Sequence, residues 1–227
     1  MEFKANELAI HKTGNVILTS DDFGLSKIYN HEILVAIQSN LLSSVSVMVD
    51  RYMVSQRTQF DQLLDLSKER NVSLGLHLEL PEKKIDNVTA LCEAQWTKFE
   101  SLLNGIKPHY IDIHKHHLFV AHFDEIAQYC LKKNVAFRRY PQTTVSCFSP
   151  DDMFMVYSST SETMISKLLE MKEGSSLELV FHLGAYDDSV KSSLNRERVE
   201  DGIKLDTAFQ LVTSQKKMII SYKDLIS

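Results

Sequence analysis

The sequence predicts an α/β fold in which parallel strands are covered by outer helices. Short β-rich runs alternate along the chain with longer amphipathic runs, which is the pattern of repeated β–α units. The chain has 227 residues, of which 44% are hydrophobic, and barrels of about 200 to 250 residues often form one domain. These observations favour a distorted (β/α) barrel. An open doubly wound sheet stays the alternative.

The short apolar runs predict seven strands, and the amphipathic runs between them predict six helices. The strands are expected at 16–20, 44–49, 74–80, 110–114, 135–139, 178–182 and 217–221. The helices are expected at about 27–40, 55–70, 94–104, 118–134, 161–173 and 197–214. Ser26 is a typical helix start, and Asn134 and Gly174 are typical helix ends. No linker divides the chain, so we expect an N-terminal extension over 1–14 and one catalytic barrel domain over 15–227.

Composition excludes several classes of protein. The net charge of −5 argues against a nucleic-acid binder, which usually shows a basic patch. There is no apolar run of about 18 residues, as a membrane span requires, and the N-terminus lacks the apolar core of a signal peptide. The three cysteines, Cys92, Cys130 and Cys147, form no CxxC pair. We therefore expect free thiols and a cytoplasmic protein without nucleic-acid or membrane partners.

Two adjacent carboxylates follow the first predicted strand. The segment VILTSDDFGLSK places Asp21 and Asp22 directly after a buried apolar run and before a turn at Gly24. Like charges at contact distance repel each other, so a positive group is expected nearby. The carboxyl ends of parallel strands form the ligand site in both candidate architectures. Polar residues at the other strand ends should therefore converge on this pair.

Three other strands also carry residues of metal-ligand type. SLGLHLEL alternates, so that its leucines share one face and His77 lies on the other. YIDIHKHH places Asp112, His114 and His116 on one face, and a late strand ends at His182. An aspartate and two histidines from three strand ends are a typical set for Zn²⁺ or another divalent cation. The cation would supply the positive charge, with one acid bound to it and its neighbour free as a base.

Each of these signals also has a purely structural interpretation. A lone histidine in an apolar strand is more often a core residue than a ligand. The Asp–Asp pairs at 151–152 and 187–188 are expected in solvated loops, and Met153 and Met155 are expected to fill gaps in the core. His122 is expected to pack on its helix. His11, His31 and His109 are expected at surface or structural positions.

Four blocks of the sequence resemble a known family. TSDDFGLSKIYNHEI, LGLHLEL, YIDIHKHH and HLGAYDD resemble, in this order, the signature blocks of the YdjC-like carbohydrate deacetylases. The resemblance runs from about residue 15 to the C-terminus. It implies a distorted (β/α) barrel of the polysaccharide-deacetylase type that removes an N-acetyl group from amino-sugar oligosaccharides with a divalent metal.

The resemblance also implies roles for individual residues. Asp22, His77 and His114 match the positions of the metal ligands, Asp21 that of the general base and His182 that of the general acid. Supporting roles fall to Asn30, Asp112, His116 and Arg139. The implied cofactor is one divalent ion, Zn²⁺ or Mg²⁺, and the implied partner is a small carbohydrate. A homodimer is the assembly that the resemblance suggests.

The chain departs from the family pattern at several positions. Leu183 stands where the family has a proline after the histidine, and Thr19-Ser20 replaces the usual Asn-Ala. The segment after His77 is shorter than the expected substrate loop, which leaves the substrate open. Three alternatives therefore remain: another metal-dependent barrel hydrolase (a phosphoesterase or a non-sugar amidase), a non-catalytic sugar- or metal-binding member, and a scaffold with structural histidines only.

Overall fold

The structure, a computed structural model, describes residues 14–83 and 85–226. Within this part, eight strands form one parallel sheet that curls into an incomplete barrel with helices outside it. The strands are β1 Asn15–Phe23, β2 Ser44–Val47, β3 Ser73–Leu78, β4 Tyr110–Ile113, β5 Ala136–Phe137, β6 Asp152–Met155, β7 Ser176–Phe181 and β8 Met218–Ile219. The helices are α1 Lys27–Gln38, α2 Arg57–Glu69, α3 Val88–Leu102, α4 Phe123–Lys133, α5 Ser161–Leu169 and α6 Glu197–Ser214.

Strand β1 lies at the centre of the sheet. The strand order is β5-β4-β3-β2-β1-β7-β6, and β8 also pairs with β1. The direction in which the chain builds the sheet therefore changes at β1. The carboxyl-terminal part of β1 lies between β2 on one side and β7 on the other. In open α/β sheets, ligands bind at such a switch point, outside the carboxyl ends of the strands. This topology places the two acids after Ser20 at the position where a ligand site is expected.

Local sequence explains where the elements begin and end. The Ser26 hydroxyl caps α1 by accepting hydrogen bonds from the backbone N–H groups of Ile28 and Tyr29, at 3.0 and 3.5 Å. Asn134 ends α4 in the left-handed conformation, at φ 55°. Strands β1, β3 and β7 are buried along most of their length. One face of β3 carries leucines, whereas the other carries Ser73, Gly75 and His77, so polar residues are buried there as well.

The fold predicted from the sequence is confirmed, with one strand missed. All seven predicted strands and all six predicted helices are present, with shifted boundaries. The missed strand is β6, which pairs with β7, so the interpretation of Asp152 as part of a loop was wrong. Met153 packs against the core, whereas Met155 lines a cleft. Most of the N-terminal extension, residues 1–13, lies outside the described residues.

Among the described residues, no helix is both long enough and apolar enough to cross a membrane.

Candidate metal centre

The two acids near the end of β1 both face the interior because the strand is irregular there. The pairing of β1 with β2 passes from Ser20↔Val45 to Phe23↔Val47, so β1 has one extra residue. Asp22 lies in this irregular part of the strand and has the left-handed backbone conformation, at φ 69°. A β-bulge of this kind turns a side chain that strict alternation would place on the opposite face. Asp21 and Asp22 are each only 2% exposed, and both line the same cleft.

One carboxylate oxygen and two imidazole nitrogens converge at this point. The Oδ1 atom of Asp22 lies 3.2 Å from His77 Nε2 and 3.4 Å from His114 Nδ1. The two ring nitrogens are 3.1 Å apart. Among the described residues, Asp22 Oδ1 has no hydrogen-bond partner although it is buried. The structure thus brings together the three side chains that the sequence suggested as metal ligands.

Asp112 orients His77 within this group. Its Oδ2 atom lies 2.7 Å from His77 Nδ1, so Nδ1 carries a hydrogen and Nε2 is the ring nitrogen that faces Asp22. Histidines that bind metals typically have such a carboxylate behind them. Burial disfavours the charged ring, but the carboxylates of Asp112 and Asp21 outweigh burial and raise the pKa of His77 well above its usual value. His77 therefore lies in a strongly negative environment.

Arg198, on helix α6, binds the second oxygen of Asp22. The guanidinium group is buried and lies 3.9 Å from the centre of the Tyr29 ring. Burial alone would raise the pKa of Asp22, but the nearby imidazole groups of His114 and His77 and the charge of Arg198 hold it well below its usual value. Asp22 is thus ionised, with Oδ2 held by Arg198 and Oδ1 left for a ligand.

Arg138 is the positive group beside Asp21. Its Nη1 and Nη2 atoms donate to Oδ2 and Oδ1 of Asp21 at 2.7 and 2.8 Å, and it also contacts Asp112 and Glu178. Burial opposes ionisation of Asp21, but the charges of Arg138 and His77 lower its pKa below the usual value. Arg139, which the resemblance suggested for a supporting role, is exposed. The arginine that serves the site is its neighbour.

His182 follows β7 and is buried at the edge of the same cleft. Its ring meets Tyr157 edge to face, with the ring centres 5.1 Å apart, and its backbone N–H donates to Asp201 Oδ2 at 2.8 Å. Among the described residues, Nδ1 has no hydrogen-bond partner. Burial lowers the pKa of His182 to about 4, and the carboxylates of Asp22 and Asp21 offset only part of this effect. The ring is therefore neutral at pH 7.

The other suggested residues support the site at its periphery. Asn30 accepts a hydrogen bond from Gly24 N at 2.6 Å, and so it braces the turn after the two acids. Strand β4 ends before Lys115, which is left-handed at φ 52°, so His116 does not continue the face of Asp112. Its ring instead stacks on Tyr140, with the centres 5.0 Å apart.

The cleft above these residues has a volume of about 490 Å³. Its wall includes six consecutive residues, Ser189 to Leu194, from the loop between β7 and α6. Asp187 comes two residues before this wall segment, and its carboxylate accepts hydrogen bonds from the Ser26 hydroxyl and from the Ser189 backbone N–H. It is only 7% exposed, so the expectation of a solvated pair at 187–188 was wrong for its first member. The remaining lining residues are Asp21, Asp22, Leu25, Arg51, Met53, His77, Ile113, His114, Lys115, His116, His117, Met155, Tyr157 and His182.

The residues present fit a divalent metal ion. Two imidazole nitrogens and one carboxylate oxygen within 4.8 Å of one another form a donor set that suits Zn²⁺ and other first-row ions. Four buried carboxylates, those of Asp21, Asp22, Asp112 and Glu178, share this region with two buried guanidinium groups. Carboxylates thus outnumber guanidinium groups in this region, which favours binding of a cation.

Comparison with known proteins gives one family and two named activities. The model of the YdjC-like protein family matches residues 15–216. A carbohydrate deacetylase of Clostridium beijerinckii is 23% identical over 251 residues, covering 92% of this chain and 99% of the relative. A chitooligosaccharide deacetylase of Enterobacter sp. strain 638 is 26% identical over 214 residues, covering 78% of this chain and 84% of the relative.

Solved structures share the fold at lower identity. A protein from Enterococcus faecalis described as a cellobiose-phosphate cleavage protein superposes with a TM-score of 0.75 at 15% identity, over 94% of this chain and 99% of that one. A family 4 acetyl xylan esterase from Clostridium thermocellum, in complex with cobalt, gives 0.55 at 13% identity, over 93% and 89% of the two chains. The distorted barrel is thus of the polysaccharide-deacetylase type. Because the family model covers nearly the whole described chain, this protein belongs to the YdjC-like family.

Proposed function

We propose that this protein is a metal-dependent hydrolase that removes an N-acetyl group from an acetylated amino sugar or a short oligosaccharide. The observation that carries the proposal is the convergence of Asp22, His77 and His114 beside Asp21 and His182 in one cleft. The two relatives named as carbohydrate and chitooligosaccharide deacetylases support the substrate class. The cobalt ion of the acetyl xylan esterase is consistent with a divalent cofactor.

Asp22, His77 and His114 would hold the ion, which supplies Lewis acidity toward the amide carbonyl and lowers the pKa of water. Asp21 is ionised and held by two hydrogen bonds from Arg138, so it is suited to accept a proton from the attacking water. The leaving amine needs a proton in return. We assign its delivery to His182, which starts neutral and would have to take up a proton, equivalent to the one that water loses to Asp21, before donating it.

A phosphoesterase has less support from the cleft. Phosphate substrates usually need arginine or lysine directed at them, but Arg138 and Arg198 are already bound to Asp21 and Asp22. At the rim, Arg51 is paired with Glu79 and Lys115 with Glu82, and Lys191 is exposed to solvent. A non-catalytic binding protein would not require a second carboxylate oriented beside the metal ligands. These contacts favour the deacetylase.

The proposal is tested by acetate release and bound metal, measured on the same preparations. Acetylated amino sugars of one to four units serve as substrates. Asp21→Asn should keep about one equivalent of metal and lose about 10²- to 10⁴-fold in kcat, since it removes a general base. Asp22→Asn should lose both metal and activity.

Asp188→Asn is the matched control, because Asp188 is an exposed acid near the cleft; it should keep both properties. Full activity and full metal content in Asp22→Asn would exclude the proposed centre. Metal binding without acetate release from any substrate would instead favour a binding protein.

A further inference from the structure

The C-terminal segment packs against the amino-terminal ends of strands β1 and β3. Strand β8 pairs with the start of β1, at Asn15↔Met218 and Val16↔Ile219. The chain then enters a short 3₁₀ helix, Tyr222–Leu225, and the side chain of Tyr222 is fully buried. Its ring stacks on Tyr110, with the centres 3.8 Å apart and the planes at 10°. This segment lies beyond residues 15–216, which the family model matches.

The Tyr222 hydroxyl reaches a buried carboxylate inside the barrel. It donates to Oε2 of Glu178 at 2.7 Å, and Thr19 Oγ1 donates to Oε1 at 2.8 Å. Arg138 fills the remaining positions, with Nε donating to Oε2 and Nη2 to Oε1, both at 3.0 Å. A carboxylate has about four acceptor positions, and all of them are used here. Glu178 therefore has one orientation that satisfies every contact.

Arg138 links the orientation of the Glu178 carboxylate to that of the Asp21 carboxylate, because it donates hydrogen bonds to both. A guanidinium group has five N–H donors in one plane. Nε and Nη2 donate to Glu178, Nη2 and Nη1 donate to Asp21, and Nη1 also donates to Asp112, so that Asp21 lies between the other two carboxylates. Because the group is planar, a rotation that loosens its bonds to Glu178 also displaces its two donors to Asp21. Buried networks of this kind are rigid when every member is satisfied.

We propose that Tyr222 is a positioning residue for Asp21 that acts through Glu178 and Arg138. The inference takes the role of Asp21 as base from the proposed function, whereas the chain of contacts is independent of it. Without the hydroxyl, Oε2 of Glu178 loses a donor and draws Arg138 toward itself. The two hydrogen bonds from Arg138 to the Asp21 carboxylate then lengthen. The variant should therefore have a lower kcat, whereas substrate binding should change little.

Tyr222→Phe and Tyr110→Phe form a matched pair for the test. Both changes remove one hydroxyl from a fully buried ring of the same stack. The Tyr110 hydroxyl, however, is bonded to Ser44 rather than to Glu178. With metal at saturation, Tyr222→Phe should lower kcat about tenfold with KM within about twofold, since misplacement of a catalytic group by ~1 Å costs up to about 10²-fold. Tyr110→Phe should leave kcat within about twofold of wild type.

A double-mutant cycle and an NMR signal separate positioning from general loss of packing. If Tyr222 acts through Glu178, adding Tyr222→Phe to Glu178→Gln should lower kcat no further. The Nε–H resonance of Arg138, identified by its absence in Arg138→Lys, should shift and exchange faster in Tyr222→Phe but not in Tyr110→Phe. This signal needs no substrate. Absence of acetate release from wild type would therefore overturn the proposed function, and the resonance would still decide the inference.

The inference is overturned if Arg138 shows the same signal in Tyr222→Phe as in wild type. It is also overturned if the two tyrosine variants lose the same activity, or if the effects of Tyr222→Phe and Glu178→Gln multiply.

Discussion

Asp22 occupies a backbone conformation that suits few residue types. At φ 69° it lies in the left-handed region, which asparagine and aspartate tolerate better than most residues with a side chain. Asp22→Asn should therefore keep the bulge and the fold. Any loss of metal in this variant can then be attributed to the carboxylate, which circular dichroism and the unfolding temperature can verify.

His109 should make the protein less stable in mild acid. Its Nδ1 atom accepts a hydrogen bond from Leu74 N at 3.0 Å, and burial lowers its pKa to about 4. An unfolded histidine has a pKa of about 6.5. Between these values the unfolded chain binds the proton first, so the contribution of His109 is complete above about pH 6.5 and is lost as the pH falls toward 4.

Urea unfolding from pH 7 to 4.5 tests this expectation. Wild type should lose stability more steeply than His109→Gln, by up to about 1.4 kcal/mol per pH unit. His31→Gln, at an exposed histidine, should follow the wild-type slope. Parallel curves for wild type and His109→Gln would contradict the assigned protonation state.

At this scale the sequence singled out residues at the ends of clear apolar strands, and it missed residues whose facing depends on the register of a short strand. Asp22, His77 and His114 lie at the ends of strands with clear apolar runs. Arg138 could not be distinguished from Arg139, since β5 has only two residues and its facing depends on its register. Glu178 did offer a signal, because it is an acid between two leucines in a predicted strand.

Strand β3 approaches the Tyr110 ring so closely that only glycine fits at position 75. A Cβ atom there would lie 2.2 Å from Cζ of Tyr110. Gly75→Ala should therefore lower the free energy of unfolding by about 1–3 kcal/mol or more, as overpacking does.

Gly202→Ala on α6 is the comparison, since an added Cβ there has no neighbour within 4 Å among the described residues. It should raise stability by about 0.5–1 kcal/mol, because alanine favours a helix interior over glycine. Urea unfolding of both variants measures the contrast. Equal stability of Gly75→Ala and wild type would show that Tyr110 can move away from β3.

Elements were predictable where periodicity was strong and were missed where it was not. Helices α1 and α6 begin and end within two residues of the predicted bounds. Strand β6 has four residues, begins with an exposed aspartate and lies at the edge of the sheet. A sequence of two methionines, one aspartate and one phenylalanine has no clear two-residue alternation. Only pairing with β7 reveals it as a strand.

For the whole molecule, the buried charges predict that metal and stability are linked. Around the candidate metal centre, the buried carboxylates of Asp21, Asp22, Asp112 and Glu178 outnumber the two guanidinium groups that pair with them, and a bound divalent ion would offset their repulsion. An ion that binds only the folded state contributes about 2.7 kcal/mol at 100 times its Kd. For a chain of this size, this amounts to an increase in Tm of roughly 5 to 10 °C.

Calorimetry of protein treated with chelator, before and after addition of Zn²⁺, measures this shift. Asp22→Asn should show no shift, whereas Asp21→Asn should keep most of it. An identical Tm with and without metal in wild type would contradict linkage between the centre and the fold.

The position of β1 in the sheet also has a consequence for synthesis of the chain. Strand β1 precedes all the other described strands, yet its neighbour β7 follows about 160 residues later, as in the pair Val16↔Leu177. While the ribosome makes the intervening part, one edge of β1 can already pair with β2 but the other has no partner. Unpaired edges expose backbone N–H and C=O groups that can recruit other chains. A nascent chain that has not reached residue 181 should therefore depend on chaperones, and stalled synthesis before β7 should yield aggregates rather than a smaller stable domain.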